Sequence, residues 1–313
     1  MLIYTVKRLL GIVPVMVVVA LFVFLLLHVG SGDPAVLIAG DFASDQEIAH
    51  IRNLLGLDQS LPVQFARWVA QILAGNLGVS VFSGVSVVHL IGERMWPTLA
   101  LAVCTVIFSC GIAIPLGVFA AWRAGTAIDR AVMVFAVIAF SFPAFLVGYA
   151  LMILFSVHWK LLPVQGYEPL SAGFGPFAAH LVLPTVTLGL VYLALLARVT
   201  RATMIEVLAQ DYIRTARAKG LRTLTVLLVH ALKNASVPIV TIIGTGIALL
   251  IGGAVVTETV FAIPGLGRLM VDAIGRRDYP VIQGLILVFA TVYVLLNLVI
   301  DLLYTVLDPR IEY

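Results

Sequence analysis

Six stretches of this chain are too long and too apolar to belong in water: residues 9–29, 97–121, 131–157, 180–200, 237–257 and 281–304. A helix needs about 20 mainly apolar residues to cross the hydrocarbon core of a bilayer, and each stretch meets that requirement. Composition agrees, since 62% of the 313 residues are hydrophobic, only 11% are charged, and mean hydropathy is +1.12. A soluble domain carries about 25% charged residues, so this chain lacks the polar groups to cover a water-exposed surface. The expected fold class is therefore all-α, a polytopic membrane protein with six transmembrane helices. It reads as one membrane domain over 1–313, with the first span and an external segment in 1–96 and a five-span core in 97–313. Disordered, collagen-like and disulfide-rich classes are excluded by the same apolar excess.

An even number of spans puts both termini on one side. With that side cytoplasmic, Lys7, Arg8, Arg123, Arg130, Arg198, Arg201, Arg214, Arg217, Lys219, Arg222, Lys233 and Arg310 lie inside, twelve of nineteen basic residues. Arg52, Arg67, Arg94, Lys160, Arg268, Arg276 and Arg277 fall in much longer external segments, as the positive-inside rule expects. The first apolar run follows Lys7 and Arg8 but ends in Gly-Asp-Pro without a small-x-small cleavage site, so it reads as an uncleaved anchor. Prolines 14, 115, 143, 184, 238 and 280 stand within or beside the six spans, which suits a cavity-lining bundle. Cys104 and Cys110, six apart on one helix, point to different faces and read as lipid- or core-facing thiols.

Between the first two spans the pattern gives two external amphipathic helices. Ser44 to Glu47 forms a capping box ahead of Ile48, Ile51, Leu54 and Leu55. Leu61-Pro62 opens the second, with Phe65, Trp68, Val69, Ile72 and Leu73 on one side and Gly75 after it. Both a membrane-surface cap and a docking surface for an external partner fit that periodicity.

The segment 201–233 is too long and too charged for a plain connector. Asp211 to Gly220 reads as a short cytoplasmic helix ended by glycine, with basic residues in its last turn where the helix dipole favours them. Ala216 and Gly220, four apart, suggest a smooth face that a partner can approach closely, flanked by the bidentate donors Arg214 and Arg217. A solvated topology signal fits the same residues.

Here the sequence resembles a known family. Residues 212–234, with Tyr212-Ile-Arg-Thr-Ala-Arg-Ala-Lys-Gly220 and His230-Ala-Leu-Lys-Asn234, are similar to the cytoplasmic signature loop of ABC-importer permease subunits, in the form of the dipeptide/oligopeptide/nickel branch. The wider family begins this loop Glu-Ala-Ala; here those positions read Arg214-Thr215-Ala216, so the acidic residue is missing. The resemblance extends over the chain through Gly32-Asp-Pro34, Leu55-Gly-Leu-Asp58, Leu61-Pro-Val-Gln64, Ser141-Phe-Pro-Ala144, Leu162-Pro163 and Thr200-Arg201-Ala202. It continues through Phe261-Ala-Ile-Pro-Gly-Leu-Gly-Arg268 and Arg277-Asp-Tyr-Pro-Val-Ile-Gln283, the latter similar to glutathione and dipeptide permeases. The resemblance implies a bacterial inner-membrane permease for short peptides that works with a homologous second permease. It also implies two ATP-binding subunits or domains and an extracytoplasmic substrate-binding protein, within membrane lipid and without nucleic acid. Asp211, Tyr212, Arg214, Thr215, Ala216, Arg217, Lys219, Gly220 and Arg222 then form the ATPase-coupling interface. This chain has no phosphate-binding Gly-x4-Gly-Lys-Ser/Thr loop, so it is expected to bind no cofactor, with ATP and Mg on the partner ATPase and no catalytic residue of its own.

Three further sets of residues are singled out. Gly244, Ala248 and Gly252 repeat every fourth residue, a helix-packing face that serves either an internal contact or the second permease. Asn297 and Asp301, four apart on the last span, are candidate pathway residues, since an intramembrane ionisable group is functional by default; alternatively Asp301 snorkels to the inner surface or pairs with a cytoplasmic basic residue. Glu258 either meets a peptide amino group in the pathway or pairs with Arg268. The six scattered histidines give no metal spacing. A stand-alone secondary transporter or a passive channel is the competing reading, but no internal repeat supports the former, and the patterned loop is unexplained in both.

Overall fold

A computed structural model describes residues 2–29, 35–36, 44–46, 49, 52 and 58–307. Its long elements are α1 Leu2–Val29, α2 Leu61–Leu73, α3 Val87–Trp122, α4 Ala127–Ser141 and α5 Ala144–Leu151, the last continued by a π-helical stretch Met152–His158. They are followed by α6 Phe174–Leu208, α7 Asp211–Ala218, α8 Ser236–Val260, α9 Leu266–Arg276 and α10 Tyr279–Leu307. Among the described residues the extended pairing is limited to an isolated antiparallel bridge, Val79 with Ser86. The fold is all-helical. The helix expected to open at Ser44 falls mostly outside the described residues, whereas the expected second amphipathic helix is α2.

Five helices are long and apolar enough to cross a membrane, and six spans result if α4 and the α5–π segment are counted as one. The third span differs from expectation here. Residues 131–157 read as a single helix, but the chain bends by 100° between Ser141 and Ala144. Pro143 causes the break: the residue before a proline is pushed out of the helical region, and Phe142 is extended at φ −91°, ψ 134°. Pro143 then opens the next helix, its carbonyl accepting from Leu146 and Val147. Pro14, Pro97, Pro115 and Pro184 stay inside continuous helices.

The chain forms two compact units, Met1–Arg94 with Leu269–Leu295, and Met95–Arg268 with Leu296–Tyr313. In the first, Phe24 of α1 meets Phe65 and Trp68 of α2 at ring separations of 5.4 and 5.8 Å, so part of the apolar side of α2 packs on α1, while Leu73 at its end is exposed. Gln283 of α10, largely buried, donates its amide to the Val23 carbonyl at 2.9 Å. A tight hairpin about the Val79–Ser86 bridge is held by Asp278, which accepts from Ser80 Oγ at 2.5 Å and from the Val81 amide at 3.2 Å. Arg276 lies over the Phe82 ring at 4.1 Å. The Arg-Asp-Tyr-Pro sequence thus has a local reason: its aspartate anchors a loop nearly 200 residues earlier.

The second unit is built around α6, whose Leu181, Leu188, Tyr192, Leu193 and Leu196 are buried between neighbours. α3 and α6 run alongside in the same direction, as shown by Ser109 Oγ donating to the Gly189 carbonyl at 3.1 Å and by Gly117 lying against Ala197 and Thr200. A methyl on Gly117 would come within 2.7 Å of the Ala197 carbonyl oxygen, so the crossing requires glycine. α8 meets α6 where the Tyr192 ring lies on Gly246 and its hydroxyl donates to the Ile243 carbonyl at 3.0 Å.

Candidate coupling surface and the core beneath it

α7 is short and amphipathic for a reason visible in its sequence. Ile213 and Ala216, three apart, share one side and are buried, Ile213 completely. Asp211, Tyr212, Arg214, Thr215, Arg217, Ala218, Lys219 and Gly220 remain exposed. Asp211 sits in the first turn, where an acidic group suits the dipole, and pairs with Arg214 at 3.1 Å in water-exposed surroundings. Thr215 Oγ1 donates to the Asp211 carbonyl at 3.1 Å. Partial burial pushes the Tyr212 phenol above its ordinary pKa.

The helix ends in a complete Schellman motif. The Leu221 amide donates to Ala216 O at 3.3 Å and the Gly220 amide to Arg217 O at 2.9 Å, with Gly220 in the left-handed region at φ 78°. This revises one part of the sequence reading. Ala216 and Gly220 do not form a common open face, because Ala216 packs into the chain's own core and Gly220 belongs to the cap. The surface offered outward is polar and basic.

Beneath α7, Ile213 and Ala216 join Val118 and Ala121 of α3, Met204 of α6 and Ala235 and Ile239 at the start of α8. Val226, Leu227 and Ala231, from the helical run between α7 and α8, complete this cluster. α7 packs chiefly on the helical run 226–231, which shares its core with α3, α6 and α8. Arg217, Leu221 and Trp122 also border a cavity of about 230 Å³ beside Thr223, Val226 and Leu227. Arg222 is exposed immediately beyond the cap.

One turn deeper, Asp129 of α4 is buried and bound by Arg201 of α6 through both its oxygens, the Nη2–Oδ2 contact measuring 2.6 Å. Asp129 also accepts from the Gly125 amide at 2.9 Å, fixing the α3–α4 turn. The sequence reading missed this pair; Thr200-Arg201-Ala202 marks only one end of it, and the two residues are 72 apart.

Glu258 is fully buried and acts as a cap. It accepts from Thr98 Oγ1 at 2.6 Å and from the Arg268 amide at 3.0 Å, while Thr98 Oγ1 accepts from the Leu266 amide at 2.8 Å. These are backbone donors of the first turn of α9, where a carboxylate is favoured. Gly265 and Gly267 lie against its carboxylate, leaving no room for a Cβ, and the Arg268 guanidinium donates to the Ala262 carbonyl at 3.0 Å. The expected partnership with Arg268 thus runs through the main chain, and the carboxylate faces no open passage.

The small-residue face of α8 is divided. Gly244 is buried against Ile300 of the last span, Ala248 is half-buried, and Gly252 is exposed with open space around it. Gly246 and Gly244 make the closest approaches, to Tyr192 and Ile300; Gly246, and Gly253 against Leu188 of α6, were not anticipated. Asn297 and Asp301 are half-buried on α10, each with an interaction partner. Cys104 and Cys110 are half-buried free thiols. The hydroxyls of Thr105, Thr185, Thr187 and Thr200 are buried without a hydrogen-bond partner among the described residues, a polar interior unusual for a purely structural bundle.

These features define a polytopic membrane subunit with a surface helix tied to its spans. The chain belongs to the family of inner-membrane components of binding-protein-dependent transport systems, whose description matches residues 113–313, with the family's N-terminal region matching 1–102. It is 50% identical over 311 residues to a probable peptide ABC transporter permease protein of Sinorhizobium fredii, covering 99% of each. It is 45% identical over 314 residues to a glutathione transport system permease protein of Salmonella paratyphi A, covering all of both. A dipeptide transport system permease protein of Escherichia coli is 40% identical over 337 residues, covering 100% of this chain and 99% of that protein. The fold is also similar to a chain of the MetNI methionine ABC transporter in an inward-facing conformation. That match has TM-score 0.57 and 21% identity, and covers 70% of this chain and 96% of that one.

Proposed function

We propose that this chain forms half of the translocation pathway of an ATP-driven importer for short peptides, with dipeptides, oligopeptides and glutathione as the substrate class. The observation that carries the coupling role is α7, which buries Ile213 and Ala216 in a core shared with α3, α6 and α8 and leaves a basic outer face. In this reading Asp211, Tyr212, Arg214, Thr215, Arg217, Lys219, Gly220 and Arg222 meet a separate ATP-binding chain, which holds ATP and Mg and performs the hydrolysis. Ala216 contributes from beneath by seating the helix. Both termini are cytoplasmic, the placement favoured by the twelve basic residues on that side. A homologous permease supplies the other half of the pathway, and an extracytoplasmic binding protein delivers substrate. Asn297 and Asp301 are its candidate polar lining.

The test is reconstitution of the chain with its second permease, ATP-binding chains and binding protein in proteoliposomes. ATP-dependent uptake of a labelled dipeptide or of glutathione is expected only when all are present. Uptake by this chain without the ATP-binding chains, or driven by an ion gradient alone, would overturn the assignment. Peptide transport with no glutathione transport, or the reverse, would narrow the substrate class.

A further inference from the structure

Between α4 and α6 the second unit leaves an apolar groove of about 200 Å³. Met133, Val137, Phe140 and Ser141 of α4 line it, facing Ala194 and Arg198 of α6. The two helices approach closely over the small residues Ala136, Ala139 and Ala194, so the groove runs beside their contact. Its wall is open, with Val137 62% and Phe140 60% exposed. Ser141 uses its hydroxyl within its own helix, donating to the Val137 carbonyl at 2.7 Å.

At one end of the groove stands Arg198. It is exposed, stands near the inner end of the apolar stretch 180–200, and has no ion-pair or hydrogen-bond partner among the described residues. Its neighbour one turn on, Arg201, is committed to Asp129, which removes the only acidic group on the adjoining turn of α4. Arg130, also exposed, makes a long 3.5 Å contact to the Gly125 carbonyl and shares the field of Asp129 with Arg201. The mouth is therefore net positive while the wall beyond it is hydrocarbon. A basic side chain at the inner end of a span, without a partner on its own chain, stands at headgroup level, where an anionic counter-group is favoured. Basic pockets between spans are suited to anionic lipid headgroups, and a guanidinium matches phosphate geometry. A ligand with a phosphate at one end and an acyl chain behind it satisfies both halves.

We propose that the α4–α6 groove binds one anionic phospholipid, with its phosphate on Arg198 and an acyl chain along Met133, Val137 and Phe140. A zwitterionic lipid fits less well, because its own cation competes for the phosphate next to Arg198 and Arg130. The site lies one turn from the Asp129–Arg201 clamp, so the bound lipid braces the same pair of helices.

The test uses the full-length chain assembled with its co-purified importer partners, equilibrated with phosphatidylglycerol or phosphatidylcholine and examined by native mass spectrometry. The expected result is one retained phosphatidylglycerol and no comparable phosphatidylcholine. Arg198→Gln lowers retention about fivefold, the weight of a single interfacial arginine, while Arg198→Lys keeps most of it. Val137→Trp, which fills the wall without touching the charge, also lowers retention. Circular dichroism and monodispersity verify that each variant is folded. Equal retention by Arg198→Gln, equal retention of both lipids, or displacement by inorganic phosphate alone each overturns the proposal. So does a complex without retained lipid in which Val137→Cys cross-links to the second permease, because the groove is then a subunit contact.

Discussion

At the scale of single residues, the glycines separate into those that define contacts and those that do not. On α8, Gly252 faces open space, so Gly252→Ala is expected to be neutral or slightly stabilising, alanine being the better helix former. Gly246→Ala drives a methyl into the Tyr192 ring, which is held by its bond to Ile243, and overpacking of this kind costs about 1–3 kcal/mol. Thermal unfolding of the two variants in detergent distinguishes them, and equal midpoints would contradict the packing described. Asp129 gives a second contrast. Arg201→Gln leaves the Asp129 carboxylate, only 4% exposed, without its cation, a loss of about 3–5 kcal/mol for a buried charge left unpaired. Asp129→Ala is expected to cost less, since the Arg201 side chain it leaves is 26% exposed and can turn to water, although the Gly125 amide loses its acceptor. The relative yields of folded protein by size-exclusion chromatography check the order. None of these contacts was legible beforehand, because each joins residues far apart in the chain. Gly244, Ala248 and Gly252 carry the helical spacing that signals a packing face, yet helix rotation places Gly246 and Gly253 against α6 instead.

At the scale of elements, local chemistry was a good guide wherever it acts within a few residues. The amphipathic pattern of α2, the glycine stop of α7 and the six apolar runs were all readable from the sequence. The break in the third span was not read, although Phe142-Pro143 marks it, because hydropathy summed over 131–157 hides a bend that leaves composition unchanged. The face that α7 turns inward was not readable, because Ile213 and Ala216 acquire their burial from α3, α6 and α8. The Schellman cap makes the stop testable. Gly220→Asn tolerates the left-handed conformation and should retain most uptake. Gly220→Ala, with ordinary side-chain strain at φ 78°, should cost about 1 kcal/mol and loosen the last turn. Reconstituted transport is expected to fall in the order wild type, Gly220→Asn, Gly220→Ala. If both variants transport equally, backbone conformation at this position does not set coupling.

For the whole molecule, charge is the scarce quantity, and its placement separates roles that burial alone does not. Asp129, Asp278 and Glu258 are buried and neutralised or hydrogen-bonded, and each holds two distant segments together. Arg214, Arg217 and Lys219 are exposed on a helix whose inner face is rigidly seated, and they contribute little to the fold. That division yields a prediction in which stability and transport part company. Arg214→Glu with Arg217→Glu reverses the outer face of α7 while leaving Ile213 and Ala216 in place, so the thermal midpoint of the isolated chain should change little, as for surface substitutions generally. Association with the ATP-binding chains should weaken about 30-fold if these arginines are interface hot spots, and ATP-dependent uptake should fall with it. Ile213→Asp should do the reverse in kind, placing a carboxylate in the shared core and lowering the yield of folded chain before coupling can be measured. Comparing pull-down, thermal midpoint and uptake for the two variants decides whether α7 transmits a partner's motion or merely closes the end of the bundle. If the double arginine variant binds and transports normally, the surface described here does not meet the ATPase.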